Sequence, residues 1–177
     1  NKQNIGKTPS IKAAFKYAHG ELFIVQDGDL EYDPFDYQFL LRPIVFAGAD
    51  VVYGSRFRGN GVRYFPYRLN YFGNIFMTWL SNLLCPIKLN DLHTCYVMFT
   101  RDLANKIFPK LTSSGFGFNV ELIARLGKLQ KHEKVRLYEV GISYYGRKKE
   151  EGKKITLIDG LRSIRDIIYY NLRPDQD

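Results

Sequence analysis

The chain has 177 residues, 45% of them hydrophobic and 25% charged. Those are ordinary globular values, so disordered, collagen-like and coiled-coil chains are excluded, and the length fits one domain, or two only if both are small. Lysine plus arginine minus acids is 26 − 18 = +8, which points to an anionic partner: nucleic acid, a phosphorylated small molecule or anionic lipid.

Two cysteines, Cys85 and Cys95, are too few for a zinc site of their own or a disulfide framework, and suit a reducing compartment. The start at Asn1, with no Met and no signal-peptide pattern, reads as a fragment.

Thr8-Pro9 predicts a helix start, with Ile11, Ala14, Phe15 and Ala18 on its apolar face and Gly20 at its end. Leu22 to Val25 is a short apolar run and predicts a buried strand. Asp33-Pro34 caps a second helix through about Leu41, and Asp50 to Tyr53 is a second strand. Helix, strand, helix, strand is the signature of an α/β sheet. Gly54 to Pro66 is a loop carrying three glycines and three arginines.

The longest uncharged run, Leu69 to Ile87, is 19 residues, long enough for a membrane span. Asn70, Asn74, Thr78, Ser81 and Asn82 nevertheless fall on one helical face, with Phe72, Ile75, Phe76, Trp79, Leu80 and Leu83 over the rest. The run is therefore an amphipathic helix. The pattern favours an ordinary helix packed in the core over one lying in a lipid headgroup layer, although Arg63, Arg68 and Lys88 flank it.

Tyr96 to Phe99 predicts a strand, and Thr100 caps a short helix ending near Pro109. A loop spans Thr112 to Gly117, and Asn119 caps a helix with Leu122, Ile123, Leu126 and Leu129 on one face. Val135 to Val140 and Ile142 to Tyr145 are strands, Gly146 to Lys154 is a charged loop, and Ile158 to Leu172 is a last amphipathic helix.

The segment Gln26-Asp27-Gly28-Asp29-Leu30-Glu31 directly follows the first strand. Ligands of α/β folds collect at carboxyl ends of strands, and alternate residues of an extended segment point the same way. Asp27, Asp29 and Glu31 are therefore expected to converge on a hard cation, Mg²⁺ or Mn²⁺, shared with substrate phosphates. The competing reading is a polar turn before the next helix.

The Gly146 to Lys154 loop holds five cations and two glycines, and is read either as a phosphate clamp or as a solvated surface loop. Gly54-Ser55-Arg56 is read either as a phosphate contact or as a plain strand-to-loop turn. Glu121, after Gly115-Phe116-Gly117-Phe118, is a site acid or a first-turn glutamate favoured by the helix dipole.

The ordered motifs QDGDLEYDP, VVYGSRF, DLHTCYVMF, FGFNVELIAR and EVGISYYGRKKEEGKK resemble family 2 glycosyltransferases of the dolichyl- or polyprenyl-phosphate sugar synthase type, over nearly the whole chain. The resemblance implies an α/β GT-A fold, a Rossmann-like three-layer sandwich, in one partial domain. Its donor and metal half would be 1–55, its acceptor side 56–155 and its C-terminal helix 156–177.

The same resemblance implies a GDP- or UDP-sugar donor, a Mg²⁺ or Mn²⁺ ion, a polyprenyl phosphate acceptor at the cytosolic membrane face, and inverting transfer; self-association stays open. Carried over by position, Asp27 and Asp29 are the metal-binding aspartates and Glu31 the oxygen ligand two residues on. Arg56 leads to the acceptor region, and Arg68 opens the interfacial helix near the acceptor phosphate. Asp91 is an acid at the site rim and Glu121 the second acid. Arg147 and Lys153 belong to the loop that closes over both phosphates.

The sequence departs from the family pattern at Gly28, where alanine is commoner, and at Asn119, where an acid is often found. The family's opening strand and D-D-x-S turn have no counterpart, so the first third of the fold is expected to be missing, leaving a bare sheet edge and bare apolar helix faces. Two further readings stand beside this one. Transfer to a glycan hydroxyl would require Asp91 or Glu121 as a base. A non-catalytic module binding nucleic acid or membrane would leave the aspartate cluster without a purpose, so a nucleic-acid partner is not expected.

Overall fold

The computed structural model describes residues 3–59, 61–115, 117–153 and 155–174. Phe116 and Lys154, quoted in the motifs above, lie outside the described residues. The elements follow the predicted order of helix and strand, except that a short strand, β3, falls inside the expected Gly54 to Pro66 loop: α1 (Lys7–Phe15), β1 (Leu22–Val25), α2 (Tyr37–Ala47), β2 (Val51–Ser55), β3 (Arg63–Tyr64), α3 (Arg68–Leu84), β4 (Val97–Thr100), α4 (Arg101–Ile107), α5 (Gly117–Leu129), β5 (Leu137–Gly141), β6 (Tyr144–Tyr145) and α6 (Leu157–Leu172).

Four strands make one sheet in the order β1-β4-β2-β5. β4 runs antiparallel to both β1 and β2, and β2 runs parallel to β5. β2 is buried along its whole length, and β4 for its first three residues, with Val51, Val52, Tyr53, Val97 and Phe99 in the core. Such a sheet reads as continuous apolar runs, as these do. β1 stands at the sheet's edge, paired with β4 alone among the described residues. β3 and β6, a parallel pair, tie the Gly54 to Pro66 loop to the segment before the basic loop. The backbone of Gly141 lies against that of Arg58 and Gly59, an approach that leaves no room for a side chain.

Several element boundaries differ from expectation, among them the start of α1, which Gly6 caps and not Thr8. α2 continues past Leu41 to Ala47 across Pro43, and closes on Gly48 at φ 61°. Leu40 and Ile44 pack on the core there, and their burial outweighs the one hydrogen bond that proline removes. α1 ends at Phe15, well before Gly20. α5 begins at Gly117, which makes Asn119 an interior, buried residue and not a cap.

α3 meets only in part the expectation of an ordinary helix packed in the core. Its buried residues are Thr78 and Ser81, while Leu69, Phe72, Ile75, Phe76, Trp79 and Leu83 are exposed. The polar face is drawn inward because the turn after the helix needs partners. Thr78 Oγ1 accepts from the Leu92 amide at 3.1 Å, and Asn82 accepts from the Leu89 amide at 3.0 Å and donates to the Leu89 carbonyl at 2.7 Å. Buried backbone groups must be satisfied, so these side chains face in beside the half-buried Met77, Leu80 and Leu84, while the other apolar ones face out. α6, which packs beside α3, likewise exposes Leu157, Ile158, Leu161 and Leu172. Among the described residues no helix is long and apolar enough to cross a membrane.

Candidate active site

β1 ends at Val25, and the chain delivers Asp27 and Asp29 into a cavity of about 770 Å³. The same cavity is lined by Glu31, Arg56, Arg147 and Lys153, by α3 from Leu69 to Met77, and by His93, Thr94, Asn119 and Tyr144. Residues far apart in sequence are thereby gathered at one end of the sheet, where ligands of α/β folds collect.

Asp27 and Asp29 are the accessible carboxylates of the group. Asp27 pairs with Lys7 at 3.0 Å and Asp29 with Arg147 at 3.0 Å. Their side chains are 39% and 26% exposed, so exchanging these partners for a cation costs little desolvation. Two hard oxygen donors beside side-chain cations are the kind of set that suits Mg²⁺ or Mn²⁺, which binds through one or two carboxylates plus substrate phosphates.

Glu31 does not join them, which corrects the three-carboxylate expectation. Leu30 adopts a left-handed backbone with φ 62°, so the segment is not extended and the alternation that would align residue 31 with 27 and 29 is broken. Glu31 turns instead to the Tyr144 hydroxyl at 3.0 Å, the Arg147 amide at 2.9 Å and the Lys153 ammonium at 3.6 Å. Among the described residues no group of three or more acidic, histidine or cysteine side chains is placed to hold a metal.

The basic loop is not a solvated surface run at its two ends. Arg147 bridges Asp29 and Glu31, and Lys153, only 9% exposed, reaches Glu31 and the Tyr144 hydroxyl. Lys148, Lys149 and Glu150 between them are exposed. Arg68 lies outside the cavity lining, exposed at the first turn of α3.

Asp91 and Glu121, expected as site acids, are both fully buried and fully engaged. Asp91 accepts from two of the Arg56 guanidinium nitrogens, Nε and Nη2, at 2.7 Å each and from the Arg56 amide at 2.9 Å. Burial works to lower the Arg56 pKa, but Asp91 more than offsets it, and the net shift is upward. The pair fixes the strand-to-loop turn after β2 and presents Arg56 beside Tyr144, 5.1 Å from guanidinium carbon to ring centre.

Glu121 accepts from the Thr112 and Ser113 amides at 2.8 and 2.7 Å and from Arg125 at 2.9 Å. It holds the loop before α5 in place, and neither carboxylate has an oxygen left over for a base. Burial acts to raise the Glu121 pKa, and the two amides with Arg125 outweigh it, holding the carboxyl below its ordinary 4.5.

A depressed carboxyl contributes stability that is present above its unfolded pKa and lost as pH falls through the folded one. Glu121→Gln is expected to be about 2 kcal/mol less stable than the wild type at pH 7, and this gap to shrink below pH 4.5 as the wild-type carboxyl protonates. Urea unfolding across that range measures it; a gap independent of pH would contradict the assignment.

Lys7 and Tyr144 were not legible as site residues. Lys7 precedes the predicted helix start at Thr8-Pro9 and carries no motif of its own, and Tyr144 falls in the predicted strand Ile142 to Tyr145. Only the fold sets the first against Asp27 and the second among Glu31, Arg56 and Lys153.

A family model described as glycosyl transferase family 2 matches residues 1–108. Solved structures of glucosyl-3-phosphoglycerate synthase from Mycobacterium tuberculosis also match. The complex with Mn²⁺, UDP-glucose and phosphoglyceric acid aligns at a TM-score of 0.62 and 14% identity, covering 96% of this chain. The complex with Mn²⁺, UDP and glucosyl-3-phosphoglycerate aligns at 0.65 and 15% identity over the same share. In both, this chain spans 56% of the other protein's length. At such identity the structural likeness speaks to the fold, which is GT-A. With more than half its residues matched by the family model, the chain belongs to glycosyl transferase family 2.

Proposed function

We propose that the protein transfers a sugar from a nucleotide diphosphate sugar to a polyprenyl phosphate at the cytosolic face of a membrane, with inversion at the anomeric carbon. The observation that carries this reading is one cavity with two kinds of rim. Asp27, Asp29, Arg147 and Lys153 line it on the charged side, while Leu69 and Leu157, 68% and 75% exposed, line it where α3 and α6 turn their apolar faces outward. An anionic head joined to an apolar tail matches both rims. The Mn²⁺, UDP-glucose and phosphoglyceric acid held by the M. tuberculosis synthase support a metal-assisted donor site and a phosphate-bearing acceptor.

In this reading Asp27 and Asp29 hold Mg²⁺ or Mn²⁺. The bound ion would supply neutralisation of charge on the departing nucleotide diphosphate. Arg147 and Lys153 offset repulsion between the two anionic substrates and position the acceptor oxygen. A lipid phosphate is already ionised at neutral pH and needs no base, which agrees with the engaged state of Asp91 and Glu121. The alternative acceptor, a glycan hydroxyl, requires a free base, and neither buried carboxylate provides one.

The test is an acceptor panel. A labelled nucleotide-sugar set is offered with polyprenyl phosphate in vesicles, with 3-phosphoglycerate and with oligosaccharides, each with and without Mn²⁺. Label in the lipid fraction, dependent on Mn²⁺, is expected; transfer confined to phosphoglycerate or to a glycan would refute the lipid acceptor. The exposed face of α3 gives a second check. Phe72→Ser with Trp79→Ser is expected to leave stability within about 0.5 kcal/mol of the wild type, because both side chains face outward. The same pair should abolish sedimentation with anionic vesicles. Undiminished vesicle binding would exclude α3 as the contact.

A further inference from the structure

We propose that Glu31 is a positioning residue that moors both ends of the basic loop beside the candidate metal site, so that Arg147 can release Asp29 to a cation and turn to a phosphate while its loop stays in place. The inference rests on the reading of Asp27 and Asp29 as metal ligands, and it gives their acidic neighbour a separate task.

The Glu31 side chain reaches across to residues 144–153. Its Oε2 accepts from the Tyr144 hydroxyl at 3.0 Å, and its Oε1 accepts from the Arg147 amide at 2.9 Å. Oε1 also faces Arg147 Nε at 3.4 Å and Lys153 Nζ at 3.6 Å. Lys153 Nζ donates in turn to the Tyr144 hydroxyl at 3.2 Å. The loop closes on itself between these points, the Lys153 amide donating to the Lys148 carbonyl at 3.3 Å. Residues 147 and 153 are thereby brought together, and one carboxylate serves both.

Burial makes this carboxylate more than a surface partner. Glu31 is 8% exposed and the Lys153 side chain 9%. An ammonium taken out of water is costly unless a counter-charge goes with it, and Glu31 supplies that charge. The backbone gives a second, independent sign. Among the described residues Leu30 is the one non-glycine with positive φ, at 62°. Such strain persists where the surroundings over-determine it, and the contacts of Glu31, the next residue, do so.

Arg147 is held in two different ways. Its Nη2 pairs with Asp29 at 3.0 Å, where both side chains are partly solvated, so that exchange of this partner costs little. Its amide and Nε are held by the buried Glu31. When Asp29 exchanges Arg147 for a cation, the second hold remains and Nη2 is freed within the cavity. A guanidinium fixed through Nε and released at Nη2 is aimed at a phosphate oxygen.

Glu31→Gln tests this, because it keeps the side-chain length and an oxygen able to ligate a metal, and removes the charge. The wild type, Glu31→Gln, Tyr144→Phe and Asp27→Asn are compared in three measurements. These are amide hydrogen exchange of residues 146–153, Mn²⁺ affinity from the spin resonance of the free ion, and affinity for UDP and GDP at saturating Mn²⁺. In Glu31→Gln, loop exchange is expected to quicken about tenfold and affinity for the preferred nucleotide to fall about tenfold, with Mn²⁺ affinity within about twofold of the wild type. Tyr144→Phe keeps the ring and deletes the hydroxyl that bridges Glu31 and Lys153. It should show the same pattern in smaller measure, which keeps the test open if Glu31→Gln folds poorly. Asp27→Asn should show the reverse, with Mn²⁺ affinity down at least tenfold and loop exchange within about twofold.

Unchanged loop exchange in both Glu31→Gln and Tyr144→Phe would overturn the mooring. So would faster exchange spread over the whole chain, which would make Glu31 a residue of general stability. Mn²⁺ affinity falling as far in Glu31→Gln as in Asp27→Asn would return Glu31 to the metal and leave the metal reading intact. A wild type that binds no Mn²⁺ would bring down the metal reading itself, and the exchange at Asp29 with it.

Discussion

Asp91→Ala is expected to destabilise the fold by about 3–5 kcal/mol, because it strands the Arg56 guanidinium in the core without its partner. Arg56 is 6% exposed and Asp91 0%, and their two side-chain contacts of 2.7 Å are supplemented by the Arg56 amide. The paired replacement Arg56→Met with Asp91→Leu should recover most of that loss, since an apolar pair of similar volume avoids burying charge. Urea unfolding of the two single variants and the double variant gives the coupling. A cost for Asp91→Ala below about 1 kcal/mol, the range of a surface ion pair, would mean that the pair is not the structural clamp described.

Asp29→Asn and Asp27→Asn are expected to behave in the opposite way. The proposed sugar transfer should fall about 10²- to 10³-fold, the range seen when one group stabilising developing charge is removed. Folding stability should move by less than about 1 kcal/mol, because both side chains are partly exposed and their ion pairs are solvent-screened.

Mn²⁺ should raise the melting temperature of the wild type and leave that of the Asp27→Asn, Asp29→Asn double variant unmoved, since a ligand of the native state stabilises it by mass action. Retained Mn²⁺-dependent transfer at the wild-type rate would refute the proposed metal-binding role of these aspartates. The contrast separates two kinds of carboxylate in one protein. Asp91 is expected to matter for folding and Asp27 and Asp29 for chemistry, and the difference lies in burial and in partner identity.

Several features were legible from residue order alone. The alternation of helix and strand, the aspartates after β1, and the basic loop after β6 are local patterns, and the structure places all of them as the order implies. Asp33 caps the next helical turn as its position predicts, accepting from the Phe35 amide at 2.9 Å. Such features depend on neighbours a few residues away, which is what a sequence displays.

The remainder depended on contacts that no spacing rule contains. Periodicity showed that α3 has a polar and an apolar face, but which face is buried was decided by the Leu89 and Leu92 backbone groups, whose need for partners drew Thr78 and Asn82 inward. Glu31 lay at the right spacing for a metal ligand, yet a left-handed residue beside it and Tyr144, more than a hundred positions away, took it elsewhere.

What residue order determined here is therefore the kind of fold, the side-chain types at its strand ends and the sign of its charge, all set by short-range propensity and composition. Which carboxylates stay open to solvent and which are spent on the protein's own amides and guanidinia was decided only by tertiary packing. A hydrogen bond or ion pair forms between groups close in space, and closeness in space between distant segments is a property of the folded chain.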